Sequence, residues 1–480
     1  MSNPKIIQGG MGAGVSNWRL ARAVSRLGQM GVVSGTALDV ILSRRLQDGD
    51  ADGLMRHALD RFPHRGIAER VIQNHFRPGG RAPGQPYKGL SLLTHRPTRA
   101  QLELLVAANF VEVFLAKEGH SGVVGINFLQ KIQLPTLPSL FGAMLAGVDY
   151  VLMGAGIPMT IPGILDRLAR GETVQMRLDV EASGPGDEID CTFSPADLLE
   201  GAPPTLPRPK FLPIVSSNVL ALTLARKASG RVDGFVVEGP TAGGHNAPPR
   251  GVLNLNERGE PVYGPRDVPD LGKFRDLGLP FWLAGSYATP ERLAEALAEG
   301  AAGVQIGTAF AFCDESGIEP SIKARVLAGV RDASVEVFTD PLASPTGFPF
   351  KVAQLGGTLS DPGIFADRRR LCDLGYLRRA FRREDGSLGY RCPGEPEDIY
   401  VMKGGERGDT VGRKCVCNGL LATVGLGQTQ STGYVEPALL TAGDDLCLLG
   451  RFLADGADHY SAEDVLEAVL AAPETVLASC

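Results

Sequence analysis

An α/β fold, specifically a (β/α)8 barrel, is predicted by three observations. The first is a series of eight short apolar runs, each closing on a glycine or a small polar residue and each followed by helical patterning. The second is that these runs are continuous in Val, Ile and Leu, as parallel strands buried on both faces are. The third is that the runs alternate with helical segments, as βα units do; glycine, 61 of 480 residues, is separately in excess, about twice the usual share of ~7%. The glycines form no low-complexity tract, and many fall in pairs such as Gly9-Gly10, Gly243-Gly244 and Gly356-Gly357. Glycine serves where a backbone turns sharply or approaches a ligand closely.

The eight runs lie at residues 5–7, 31–33, 123–128, 149–153, 211–215, 234–237, 280–284 and 303–306. Strands alternating with helices imply βα units, and eight units suggest a TIM barrel whose ligands bind at the C-terminal ends of its strands. Residues 110–115 compete as a further strand. After the seventh run, Thr289 is placed to cap a helix, Pro290 suits its first position and Gly300 follows its end. Leu293 and Leu297, four apart, are expected to face the barrel. Two segments break the repeat. Within residues 173–193, Val174, Met176, Leu178 and Val180 alternate, as do Ile189, Cys191 and Phe193 beyond the turn-like Gly184-Pro185-Gly186-Asp187. This pattern predicts an inserted β-hairpin, within an insertion at about residues 171–210. From about residue 340 no further βα unit is visible. The expected division is a barrel over 1–340 and a C-terminal extension over 341–480 that packs on it.

Composition narrows the function. Hydrophobic residues make up 44%, net charge is −6 and pI is near 5.8; no basic stripe suggests nucleic acid. Arg368-Arg369-Arg370 and Arg378-Arg379 read as a solvated face. The most apolar stretch, 137–165, is broken by Asp149, Pro158 and Pro162, and reads as a buried helix and a strand rather than a membrane span. The opening Lys5-Ile6-Ile7 has no signal-peptide core. Eight cysteines are too few for a disulfide scaffold of this length, so a cytoplasmic setting is the expectation. The expected partner is a small-molecule substrate, with no nucleic acid and no membrane; a homo-oligomer is left open.

Four motifs carry chemistry. Gln8-Gly9-Gly10-Met11-Gly12-Ala13-Gly14-Val15-Ser16 runs from a strand into a glycine turn, with Ser16 placed to cap the next helix. Val236-Val237-Glu238 ends a strand in an acid, and Gly239-Pro240-Thr241-Ala242-Gly243-Gly244 then delivers His245, a proton-transfer side chain near neutral pH. Ala284-Gly285-Ser286 and Ile306-Gly307-Thr308 are strand ends one βα unit apart, where loops after strands seven and eight commonly bind phosphate. Gly125-Ile126-Asn127-Phe128 places an amide near a strand end, to meet a ligand or to cap a turn. Each has a plain reading as turn or packing. His120 reads as structural.

In this order the four motifs resemble the nitronate monooxygenase (2-nitropropane dioxygenase-like) family, FMN-dependent barrels related to the flavin-containing enoyl-ACP reductases. The likeness covers residues 5–130 in patches and 210–318 nearly continuously. It implies that Gly10, Met11 and Gly12 lie against the flavin ring and that Asn127 touches FMN. Glu238 takes a position that is often glutamine, and Gly243 contacts flavin. Gly285, Ser286, Gly307 and Thr308 would hold the phosphate, with Ser286 where a second glycine is usual. One departure stands out. A catalytic histidine at the end of the preceding strand is absent from Leu212-Pro213-Ile214-Val215-Ser216-Ser217-Asn218, where Ser216 falls near its place. His245 matches the active-site histidine of the related enoyl reductases.

The implied function is oxidation of alkyl nitronates with O2. The alternatives are an FMN enoyl thioester reductase using NAD(P)H and, with less support, a flavin-free phosphate-binding isomerase. A separate expectation concerns Cys372, Cys392, Cys415 and Cys417: four thiols in a short span are the set a structural zinc would take, although the paired spacing of zinc motifs is missing. The neighbouring Lys403-Gly404-Gly405 and Gly412-Arg413-Lys414 are candidates for the edge of the active site.

Overall fold

The computed structural model describes residues 3–181, 184, 188–454 and 456–473. All eight predicted runs are strands: β1 (Ile6–Gln8), β2 (Gly31–Ser34), β3 (Val124–Leu129), β4 (Tyr150–Gly154), then, after the insertion strands β5 (Val174–Arg177), β6 (Val180–Glu181) and β7 (Asp190–Phe193), β8 (Lys210–Val215), β9 (Phe235–Glu238), β10 (Phe281–Ala284) and β11 (Gly303–Ile306). They form one parallel sheet in the order β1-β11-β10-β9-β8-β4-β3-β2. A parallel bridge closes it: the Gln8 amide donates to the Met30 carbonyl at 2.9 Å, and the Met30 amide to that of Ile6 at 3.1 Å.

The continuous apolar runs follow from burial on two faces. Ile7, Val32, Leu152, Leu212, Val236 and Trp282 fill the barrel interior. Their neighbours Ile6, Val33, Val151, Phe211, Val237 and Val304 pack outward against the helical layer. Burying each such side chain contributes about 1.5–3 kcal/mol. The Trp282 indole N–H, left polar inside the barrel, donates to the Pro4 carbonyl at 2.8 Å.

Residues 110–115 are helix, within Arg99–Lys117. Thr98 and Gln101 form its capping box, and Phe110, Val111, Val113 and Leu115 are all buried. A helix apolar nearly all round has no polar stripe to reveal its period, which is why the segment also reads as a strand. Thr289 caps Pro290–Ala298 as expected, accepting from the Arg292 amide. Leu293 and Ala296 are its buried side chains, whereas Leu297 is 38% exposed. Ser16 caps no helix. Asn17 takes that position, accepting from the Leu20 amide at 3.0 Å.

In the insertion, β5 pairs antiparallel with β7, and burial alternates along both strands. The expected turn at Pro185-Gly186-Asp187 lies outside the described residues. Beyond the barrel come two antiparallel hairpins: β12 (Glu336–Asp340) with β13 (Phe350–Gln354), and β14 (Arg379–Arg382) with β15 (Leu388–Arg391). Strand β6 joins β14, so the insertion and the C-terminal residues share a sheet. The helix Ala462–Leu470 packs on Trp18–Arg26 and Pro290–Ala298. The arginine cluster is not wholly solvated: Arg368 is buried and donates to the buried Glu436 carboxylate at 2.6 Å. No described helix is long and apolar enough to cross a membrane.

Candidate active site

A cavity of about 220 Å³ opens at the C-terminal ends of the barrel strands. Gly10, Met11, Gly12, Asn127, Glu238, Gly243, His245, Gly285, Ser286, Gly307 and Thr308 all line it. Residues proposed from four separate motifs therefore meet in one place.

The first turn is held by its own polar side chains. Buried Gln8 accepts from the Val32 amide at 3.0 Å and donates to Ser16 Oγ at 2.9 Å. Ser16 Oγ in turn accepts from the Met11 amide at 2.9 Å and donates to the Gly9 carbonyl at 2.8 Å. Gly10 sits under Asn127, where a Cβ would lie 2.3 Å from the Asn127 Cβ. Asn127 Nδ2 donates to the Gly10 carbonyl at 3.1 Å. Its Oδ1 is buried without a partner, as is Gln305 Oε1. Both residues line the cavity, and an unpaired buried acceptor is costly unless a ligand or water answers it.

On the opposite side, Gly285 and Ser286 have positive φ, +104° and +57°. Ser286 thus takes a left-handed conformation that glycine adopts more cheaply, which accounts for glycine being usual there. Neither residue makes a hydrogen bond with the described protein, so their amides are free for an anion. A Cβ on Gly307 would meet only the Met11 side chain, at 3.5 Å. The Thr308 hydroxyl is already engaged: it accepts from the Gly443 amide at 2.9 Å and hydrogen-bonds Asp445, whose carboxyl burial pushes upward.

The histidine loop is clamped by residues far along the chain. The Gly244 amide donates to Thr441 Oγ1 at 2.9 Å, the Lys351 amide to the Gly244 carbonyl at 2.9 Å, and the Asn246 amide to the Pro349 carbonyl at 3.0 Å. Gly243 is pressed against this segment, since a Cβ there would lie 2.8 Å from the Ala442 carbonyl carbon and the Gly443 nitrogen. His245 Nε2 is 2.6 Å from Ser344 Oγ, and Phe350 sits edge-on to the imidazole at 4.8 Å. Burial, aided by Lys131, pushes His245 down to about 4, so it is a neutral imidazole at pH 7. Burial pushes Glu238 up to about 8, so its carboxyl is mostly protonated there. Lys131 itself, 3.2 Å from the Phe348 ring centre, is lowered to about 8 by burial and by Arg379.

Much of the wall was not foreseen. Tyr376, Cys417, Leu420, Leu439, Thr441 and Asp445 all come from beyond residue 340. Gln305 had a legible signal, a polar side chain within an apolar strand. Lys403, Gly404, Gly405, Gly412, Arg413 and Lys414 do not line the cavity. Arg413 approaches it indirectly, donating to the Ser344 carbonyl at 2.8 Å. His120 is structural: its Nε2 lies 2.7 Å from the Ala116 carbonyl.

The zinc expectation is corrected. Cys372, Cys392, Cys415 and Cys417 border one small apolar cavity. Among the described residues, no group of three or more His, Cys, Asp or Glu side chains is arranged to hold a metal ion. Burial raises the Cys415 thiol to about 12 and raises Cys417 well above its usual range, whereas a hydrogen bond with Cys392 lowers Cys372.

Residues 211–339 match the nitronate monooxygenase family model. That span holds Glu238, His245 and the whole Gly285–Thr308 side of the cavity. Two curated relatives carry the name (3aS,4S,5R,7aS)-5-hydroxy-7a-methyl-1-oxo-octahydro-1H-indene-4-carboxyl-CoA dehydrogenase. The one from Rhodococcus jostii (strain RHA1) is 33% identical over 141 residues, 29% of this chain and 34% of the relative. The one from Mycobacterium tuberculosis (strain ATCC 25618 / H37Rv) is 32% identical over 123 residues, 25% of this chain and 31% of the relative. The chain thus spans about a third of the length of the curated relatives it matches. Among solved structures, FabK from Thermotoga maritima has 17% identity and a TM-score of 0.47, over 98% of this chain and 92% of that one. Nitroalkane oxidase from Streptomyces ansochromogenes has 16% identity and a TM-score of 0.44, over 97% and 94%.

Proposed function

We propose that the chain is an FMN-dependent oxidoreductase of the nitronate monooxygenase type, oxidising alkyl nitronates with O2. The observation that carries this reading is the convergence of four motifs on one cavity whose unpaired polar groups suit a flavin. The isoalloxazine would lie against Gly10–Gly12 and Asn127, with Asn127 Oδ1 and Gln305 Oε1 as acceptors for its N–H groups. The phosphate would take the free amides of Gly285 and Ser286, at strand ends of the kind that bind phosphate in barrels. Bound there, FMN supplies two-electron redox chemistry, while the protein binds, orients and tunes it. His245, a neutral imidazole held by Ser344, would exchange a proton with the substrate. Residues 1–340 would be the flavin barrel and 341–480 the extension that completes the cavity wall. A cytoplasmic enzyme is consistent with seven unpaired described cysteines.

A second reading, an FMN enoyl thioester reductase drawing on NAD(P)H, is favoured by two observations. The curated relatives are named for a carboxyl-CoA substrate. The strand that would carry the further histidine ends at Val215 and is followed by Ser216, with no histidine there. Oxygen uptake with alkyl nitronates, set beside NAD(P)H oxidation with an enoyl thioester, separates the two. Nitronate-dependent oxygen uptake is expected; thioester-dependent NAD(P)H oxidation alone would transfer the assignment to the reductase.

A further inference from the structure

Glu238 stands in the wall between two cavities. It lines the main one and also a side cavity of about 30 Å³, bordered by Ser216, Asn246, Arg250, Tyr263 and Asp267. Among the described residues its carboxyl forms no hydrogen bond or ion pair, so no protein cation stabilises its anion. Asn246 is 2% exposed and donates through Nδ2 to the Ala242 carbonyl at 2.9 Å, but its Oδ1 is buried without a partner. A cavity of this size holds a water, which needs two to four polar partners, and Asn246 Oδ1 with the Glu238 carboxyl offers them. The outer end of the side cavity reaches solvent-exposed Arg250, which donates to the Ser216 carbonyl at 3.1 Å.

We infer that Glu238 is the proton donor of the site and that the side cavity holds the water that reprotonates it. The inference rests on reading the main cavity as a flavin site, and it deepens the thioester reading of that site. Reducing a double bond conjugated to a thioester adds a hydride to one carbon, drawn from flavin reduced by NAD(P)H, and a proton to the other. Glu238 O–H breaks to supply that proton to carbon, leaving a carboxylate that recovers a proton relayed from bulk solvent through the side-cavity water. The charged or titratable groups that share the two cavities with Glu238 are His245, Tyr287, Tyr376, Cys417 and Asp445 in the main one and Tyr263, Arg250 and Asp267 in the side one. Pairs of titratable groups whose surroundings drive them apart mark acid and base roles. Here the acid is neutral and protonated, and the imidazole is neutral and unprotonated.

The test is infrared difference spectroscopy of the flavin-loaded protein, wild type minus Glu238→Gln, at pH 6. A protonated-carboxyl band present in wild type and lost in the variant is expected, fading as pH rises past about 8. On transfer to D2O the band should shift promptly in wild type and more slowly in Ser216→Leu, which plugs the side cavity. Glu238→Gln should lower thioester reduction by about 100-fold or more while keeping its flavin. A flavin-bearing protein with no such band, a band that exchanges equally fast in Ser216→Leu, or full turnover in Glu238→Gln overturns the inference. Flavin absorbance in the same samples reads the cofactor assignment separately: a colourless protein that still shows the band overturns the flavin reading instead.

Discussion

The two sides of the cavity are built by different rules. The barrel side is made of strand ends, and each contributes a residue fixed by its position in a repeated βα unit. The C-terminal side is made of irregular chain that reaches the cavity from beyond residue 340, and its contacts are one-off pairings such as Ser344 with His245. The contrast separates two tasks. Close backbone packing around the cavity comes from glycines at the strand ends, whereas the hydrogen-bond partner of the histidine comes from beyond residue 340.

The largest effect should come from filling the barrel side. Gly10→Val would drive a side chain into Asn127, where a Cβ already lies 2.3 Å from its neighbour. Loss of bound flavin with circular dichroism unchanged is expected. Gly356→Val, where a Cβ meets nothing within 4 Å, should keep its flavin. Equal retention in both variants would break the claim that strand-end glycines cradle the ligand.

Next comes the histidine. His245→Ala should keep FMN and lose about 100-fold or more in turnover; steady-state rates on a flavin-matched sample decide it. Ser344→Ala, on the extension side, should cost only about fivefold, the factor for a hydrogen bond of ~1 kcal/mol. It should also displace the acidic limb of the pH–rate profile, a shift that a merely structural role would not give. An unmoved limb would show that the extension packs on the histidine without setting it.

Acid stability probes the same burial. His245 and His75 are both pushed down to about 4, mainly by burial. Between their ordinary value near 6.5 and 4, the unfolded chain binds more protons than the folded one, so stability falls as pH falls through that window. Urea unfolding at a series of pH values should show this slope, flattened in His75→Gln. The smallest effect is expected at Leu297. Leu297→Lys on its exposed position should change stability by no more than about 0.5 kcal/mol, whereas Leu293→Ala beside it should cost about 2–5 kcal/mol.

What was legible in the sequence divides along the same line. All eight barrel strands were readable because burial on both faces leaves uninterrupted apolar runs, and the cavity-lining residues of the barrel side follow from where those runs end. Residues 110–115 were ambiguous because a helix buried on nearly every side shows no period. Ser16 and Asn17 are adjacent polar residues, and only the path of the glycine turn decides which one caps. The extension was opaque for a different reason. Ser344 meets His245 across 99 residues, and Thr441 reaches the neighbouring Gly244 across 197; no local pattern encodes such pairs. The four cysteines do meet around one small cavity, but spacing along the chain says little about whether thiols that meet are arranged to hold a metal ion.

The central claim is that the glycine-lined cavity is a flavin site. Its most direct measurement is the absorption spectrum of the purified chain, before and after incubation with FMN, with release of the chromophore on denaturation. A yellow protein that releases about one FMN per chain is expected. A colourless protein that takes up no FMN on reconstitution would contradict it.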